Sequence, residues 1–178
     1  RLMPELDIRD PRLTDIIDPD APLEVVAEGF KFTEGPVWHP GEKHLIFSDI
    51  IGNSLYQWSA DDGLRDIRPN SHLANGNTYD NDYRLLTCHH ATSRVTRTEP
   101  DGTVSLVASH YDGAQLNSPN DIVCKSDGSI YFTDPTSGRE AFVGVPREPD
   151  LPFSGVYRGD GTTGDLTLLV DDFANPNG

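Results

Sequence analysis

Cations are scarce in this sequence. Fourteen Lys and Arg stand against 29 Asp and Glu, a formal net charge of −15 over 178 residues. So acidic a surface repels phosphate backbones and anionic headgroups, which removes nucleic acid and membrane surfaces from the expected partners. No apolar run approaches the roughly 18 residues of a membrane span, and no signal-peptide pattern follows Arg1. A cytoplasmic location is the expectation, with periplasmic or secreted ones open because residues ahead of Arg1 would decide it. Cysteine is also sparse. Cys88 and Cys124 sit in different strand-like runs, without the CxxC or Cys/His spacing of a structural zinc site. They are expected as buried thiols, with a single disulfide as the alternative. A Gly-x-Ser-x-Gly elbow is missing too, so a serine-hydrolase triad has no support.

What the chain has instead is a repeat. Glu34-Gly35-Pro36-Val37-Trp38, Asn75-Gly76-Asn77-Thr78-Tyr79 and Asn120-Asp121-Ile122-Val123 place similar residues in one register, and Asn177-Gly178 starts a fourth copy. Gly35, Gly76, Asp121 and Gly178 are spaced by 41, 45 and 57 residues. Each complete copy runs through a polar turn into a β-rich segment ending on Asp or His: Ile46–Asp49, Leu86–His90 and Tyr131–Asp134. Repeats of roughly 40–50 residues carrying several short strands read as propeller blades.

Short strand-like runs recur with turn signals between them, and no sustained 3.6-residue apolar period occurs, so the chain reads as all-β. Strands are expected at Leu23–Ala27, Gly35–Trp38, Leu45–Ser48, Ser54–Trp58, Leu64–Ile67, Leu85–Cys88 and Arg94–Thr98. Further strands are expected at Val104–Val107, Asp121–Cys124, Ile130–Thr133, Gly155–Arg158 and Leu166–Val170. Asp61-Asp62-Gly63, Asp101-Gly102 and Asp127-Gly128 are hairpin turns. Residues 1–22 form a polar, proline-punctuated arm with a helical turn near Leu13–Ile17, and residues 23–178 form the N-terminal part of one propeller domain. Arg139–Pro152, with Pro146, Pro149 and Pro152, interrupts the third repeat as a loop that would overhang one face. Three blades and the start of a fourth fall short of the 4–8 that close a propeller, so a longer protein is expected.

In a propeller the innermost strand of every blade lines the central channel. Glu34, Asn75, Asn120 and Asn177 would therefore converge on one small volume. One carboxylate and several amide oxygens suit a hard divalent cation, Ca²⁺ first. The competing reading is that Asn-Gly and Asn-Asp only make turns at blade starts.

Together with Leu116-Asn117-Ser118-Pro119-Asn120-Asp121, Ser126–Pro135 and Asn175-Pro176-Asn177-Gly178, the first motif resembles the senescence-marker-protein/gluconolactonase/luciferin-regenerating-enzyme family, nearest its bacterial gluconolactonase branch. The resemblance runs from about Leu23 to Gly178. It implies a six-bladed propeller that hydrolyses a sugar-derived lactone with one divalent cation, Ca²⁺ or alternatively Mg²⁺, Mn²⁺ or Zn²⁺. Carried over by motif, Glu34, Asn120 and Asn177 are metal ligands, and Glu34 and Asn120 take part in catalysis. The family's further acidic ligand and proposed base belongs to a later blade. His89-His90 stands where bacterial relatives commonly show Glu-His, leaving the role of His89 open.

Asn75, Asn117, Ser118 and Asn120 are the candidate substrate contacts. Asp49, His90 and Asp134, at the ends of second strands, are expected to bond neighbouring backbone. Trp38 and Trp58 are expected to pack between blades. Other lactones, organophosphate esters and a non-catalytic binding scaffold are the competing functions. Oligomeric state is undetermined by the sequence.

Overall fold

The computed structural model describes residues 6–160 and 163–178. Within them, three four-stranded antiparallel sheets follow one another along the chain. The first holds β1 (Thr33–His39), β2 (His44–Asp49), β3 (Ser54–Ser59) and β4 (Gly63–Pro69). The second holds β5 (Ala74–Tyr79), β6 (Leu85–His89), β7 (Arg94–Thr98) and β8 (Val104–Ala108). A small hairpin of β9 (His110–Tyr111) and β10 (Ala114–Gln115) leads to the third sheet: β11 (Ile122–Cys124), β12 (Ser129–Asp134), β13 (Ser154–Asp160) and β14 (Leu166–Phe173). Each sheet runs in sequence order, and the sheets pack through their first strands, β1 on β5 and β5 on β11. This is the arrangement of propeller blades. Among the described residues no helix is long and apolar enough to cross a membrane.

The expected hairpin turns form. Gly63, Gly102 and Gly128 all take positive φ, which a residue without Cβ adopts at no steric cost. Leu23–Ala27, expected as a strand, joins no ladder. The helical turn lies at Pro11–Asp15 as a 3-10 turn capped by Asp10, whose carboxylate accepts from the Arg12 amide at 3.0 Å.

Apolar residues pack between the sheets. Ile46, Leu55, Ala74 and Leu85 join the first to the second, and Leu86, Cys88, Val95, Ile122, Ile130, Phe132 and Tyr157 join the second to the third. Both cysteines are free thiols. Burial pushes the Cys88 thiol well above its usual value, so it behaves as a small apolar group. Trp38 departs from expectation. It is 50% exposed, on a face of β1 that points away from the second sheet's core.

Candidate functional site

The repeated motif is where the blades touch most closely. A Cβ on Gly35 would sit 2.1 Å from the Asn75 carbonyl oxygen, and one on Gly76 would sit 2.5 Å from that of Asn120. A Cβ on Gly178 would meet the Asp121 carboxylate at 2.3 Å. The Gly76 amide donates to the Asn120 carbonyl at 2.7 Å. Each motif therefore leans on the backbone of the next, in the register read from sequence. A bulge recurs within this stretch in the first two sheets, between Glu34 and Val37 and between Ala74 and Asn77. Bulges re-aim side chains, and here two blades do so at the same place.

Asn77, which sequence reasoning passed over, locks this step. Its buried Nδ2 donates to the carbonyls of Gly35 and Asn75, both at 2.9 Å, and lies 2.8 Å from Ser48 Oγ. Its Oδ1 accepts from Thr87 at 3.0 Å, and Ser48 donates to the Asn75 carbonyl at 2.6 Å. Two Asn residues flanking Gly76 thus do different work. Asn77 is spent on the scaffold, while the buried Asn75 side chain meets His90.

Glu34 is half-buried at the rim of a concavity of about 310 Å³ lined also by Val26, Phe30, Leu45 and Phe47. Asn120 is 5% exposed; its backbone is held by Thr133 and Gly76. Among the described residues neither the Glu34 carboxylate nor the Asn120 carboxamide has a hydrogen-bond or ion-pair partner. Both groups are therefore open to a polar ligand, each at the same position of its repeat. Asn177 is exposed, and its Oδ1 accepts from the Gly178 amide at 2.8 Å.

The ends of the second strands act as brackets. Asp49, opposite Thr33, accepts from the amides of Lys31, Phe32 and Gly52 at 3.0, 2.9 and 3.0 Å. Burial works to raise Asp49, and the three amides outweigh it and hold the carboxyl below its usual range. Asp134 accepts from the amides of Asn117 and Ser118, both at 2.8 Å. There burial dominates and pushes the carboxyl up to about 7 against those amides and Arg139.

In the second blade the slot belongs to His89, opposite Ala74, and not to His90. The loop ahead of β5 carries positive φ at His72 and Leu73 and presents a carbonyl where the other two blades present amides. His89 Nδ1 meets that Ser71 carbonyl at 2.8 Å, and Nε2 meets Thr96 Oγ1 at 2.8 Å. Burial pushes its imidazole down to about 3, so it stays neutral. This answers the question the sequence left open: His89 is a structural bracket.

Asn117 and Ser118 are fully buried under the Asn120 loop. Asn117 Nδ2 donates to the carbonyls of Asp134 and Phe153 at 3.1 and 2.8 Å, while Ser118 donates to the Pro135 carbonyl and accepts from the Gly138 amide at 2.9 Å. These bonds fix the loop that presents Asn120.

His90, one residue beyond the bracket, turns toward the motif. Its Nε2 lies 3.0 Å from Asn75 Nδ2 and its Nδ1 lies 2.8 Å from the Val143 carbonyl. Val143 belongs to the Pro-rich insertion, which leaves the third blade after β12 and crosses the second. Arg147 ties it down, donating to the His90 carbonyl at 2.9 Å and to Ser93 Oγ, and Arg139 donates to the carbonyls of Asn117 and Leu116. Phe142 then reaches the first blade, its ring 6.2 Å from that of Phe32. The expected overhang exists, and it spans all three blades at the end where Asn75 and Glu34 lie.

The donor chemistry of Glu34 and Asn120 is hard oxygen, with Asn177 a second amide in the same register, which fits Ca²⁺ or Mg²⁺ better than a thiophilic ion. Among the described residues no three His, Cys, Asp or Glu cluster into a metal site, so these residues supply one carboxylate and neutral amides.

Comparison with known proteins agrees with the fold and the motifs. The family model for the SMP-30/Gluconolactonase/LRE-like region matches residues 32–178. The gluconolactonase of Zymomonas mobilis is 30% identical, over 94% of this chain and 51% of that protein. An X-ray structure of a gluconolactonase candidate superposes with a TM-score of 0.87 at 35% identity, over 96% of this chain and 59% of the other. The gluconolactonase XC5397 of Xanthomonas campestris gives 0.78 at 33% identity, over 82% and 49%. The chain thus spans about half the length of the relatives it matches. With its motifs, its sheets and these matches in agreement, it belongs to the senescence-marker-protein/gluconolactonase/luciferin-regenerating-enzyme family.

Proposed function

We propose that this chain forms part of a metal-dependent lactonase that opens a sugar-derived lactone of the gluconolactone type, within a propeller of six blades. The observation that supports it most directly is the pair of unpartnered oxygen donors, Glu34 and the nearly buried Asn120, in one register at the blade-to-blade contact. A scaffold serving only to bind a protein has no need to hold such groups unpaired.

Glu34, Asn120 and Asn177 are the residues that would hold a divalent cation, with Ca²⁺ favoured by the all-oxygen donor set. When bound, that cation supplies Lewis-acid polarisation of a carbonyl. Glu34 contributes the one negative charge of this half of the site. Asn120, fixed by Thr133 and Gly76 through its backbone, presents a carboxamide that need not move to meet a ligand. Asn75 presents Oδ1 as an acceptor for a sugar hydroxyl, since its Nδ2 is engaged by His90. The exposed ring of Phe142 and the insertion beneath it wall the same end against bulk water.

The test is hydrolysis of glucono-δ-lactone followed by pH-stat in a chain extended to the length of these relatives. Turnover should vanish on chelation, return with Ca²⁺, and be lost in Glu34→Gln. Organophosphate turnover without lactone turnover would favour the related ester hydrolase. A correctly folded protein with neither activity would favour a binding scaffold.

A further inference from the structure

Among the described residues, hydrogen bonds tie the Pro-rich insertion to Asn75 through His90, and the contacts along that line have fixed polarity. The Val143 carbonyl can only accept, so the nitrogen 2.8 Å from it, His90 Nδ1, carries the proton. His90 is 1% exposed and, among the described residues, has no carboxylate at hydrogen-bond distance, so it is neutral, and its Nε2 is then an acceptor. Burial also lowers its affinity for a second proton, opposed by the Val143 bond. An acceptor at 3.0 Å demands a donor opposite, which is the amide nitrogen of Asn75. Only one orientation of the Asn75 carboxamide remains, with Oδ1 turned away from His90.

We propose that His90 and the Val143 carbonyl are positioning residues that set the orientation of the Asn75 carboxamide, so that the insertion dictates which atom the second blade offers to a ligand. The inference rests on the lactonase reading for its substrate, a polyhydroxylated lactone whose hydroxyl donates to Asn75 Oδ1. With the carboxamide reversed, the same position would offer a donor and select a different pattern of ligand oxygens.

The insertion is built to hold that carbonyl still. The Val145 amide donates to the Gly138 carbonyl at 3.0 Å, and a Cβ on Gly144 would lie 1.7 Å from that carbonyl oxygen. Gly138 in turn has no room for a Cβ, which would fall 2.5 Å from His90 Cγ and from Ser118 Cβ. Val143, His90 and the Asn120 loop therefore pack as one unit. A loop that merely filled space would need neither glycine at this pair of approaches.

The deciding measurement is the tautomer of His90 in the purified protein, read from two-bond ¹⁵N–¹H couplings of the imidazole. The Nδ1–H form is expected, together with a slowly exchanging Asn75 side-chain amide proton. An Nε2–H form would overturn the proposal, because Asn75 would then turn Oδ1 toward the ring. Function gives a second readout. His90→Leu should raise KM for the lactone about tenfold with little change in kcat, the pattern of a lost ground-state contact, and His90→Gln, which can still accept from Asn75, should recover most of it. Unchanged KM in folded His90→Leu would also overturn it. If no lactone is turned over by the wild type, the lactonase reading is what suffers; in that case, or if His90→Leu fails to fold, the wild-type tautomer still decides the assignment.

Discussion

The amide of Gly76 donates to the carbonyl of Asn120 across 2.7 Å, joining the second blade to the third at the recurring motif. The same glycine has no space for a side chain, since a Cβ would lie 2.6 Å from Asp121 Cα as well as 2.5 Å from the Asn120 oxygen. Blade contact and donor placement are therefore one structural feature.

Gly76→Ala should accordingly be severe. The obstacle is backbone on both counts and cannot rotate away, so a loss of roughly 3 kcal/mol is expected, the upper end of the range for overpacking. Gly102→Ala is the control. Gly102 has φ +84 and nothing within 4 Å, so it carries only the left-handed backbone cost of about 1 kcal/mol. Chemical denaturation of both variants checks this; equal losses would mean that the blades tolerate separation at the motif.

His89 predicts a pH dependence. Its folded pKa of about 3 lies below the ordinary 6.5, so below pH 6.5 the unfolded chain takes up a proton that the folded chain refuses. Stability from this group is complete above 6.5 and drains away as pH falls toward 3, with a limiting slope of ~1.4 kcal/mol per unit. Asp134 acts in the opposite sense. Its carboxyl is raised from 3.8 to about 7, so stability from it is lost as pH rises through that window. The two nearly offset each other between about pH 4 and 6.5. His89→Gln should uncover the Asp134 slope, so the variant's deficit relative to wild type shrinks on acidification. A deficit constant from pH 7 to pH 4 would show that His89 is protonated in the fold.

Much of this was legible in the sequence because β-structure of this kind is written locally. Asp-Gly turns and alternating runs gave eleven of the twelve expected strands their places, and the motif register survived intact because glycines at blade contacts are sterically obligatory. Three things were not legible. Ala74–Tyr79 was seen as motif and not as strand, since Asn-Gly-Asn reads as a turn until a bulge accommodates it. The exchange of carboxylate for His89 depends on a loop whose backbone is inverted at His72 and Leu73, which residue identities do not announce. The relation of Val143 to His90 spans 53 residues and has no periodic signal at all.

Trp38 shows the limit from the other side. Aromatic character suggested a core residue whose truncation would cost about 3–5 kcal/mol. At 50% exposure the expected loss for Trp38→Ala falls to about half of that or less. A thermal or urea titration distinguishes the two values easily. A loss near the full core value would imply that another surface covers Trp38 in solution.

The metal reading is tested without any enzymatic assay. A ligand that binds only the folded state stabilises it by about 2.7 kcal/mol at a hundredfold excess over its Kd. Ca²⁺ should therefore raise the unfolding midpoint of the wild type, and chelation should reverse the rise. Glu34→Gln keeps the volume and one oxygen while removing the only carboxylate of the Glu34–Asn120–Asn177 set, so the rise should shrink sharply with little change in metal-free stability. Asn120→Ala should weaken it as well, through loss of a neutral donor. The same Ca²⁺-dependent rise in wild type and in Glu34→Gln would move the cation elsewhere on this acidic surface. No rise in either would leave the unpaired donors to a polar organic ligand alone.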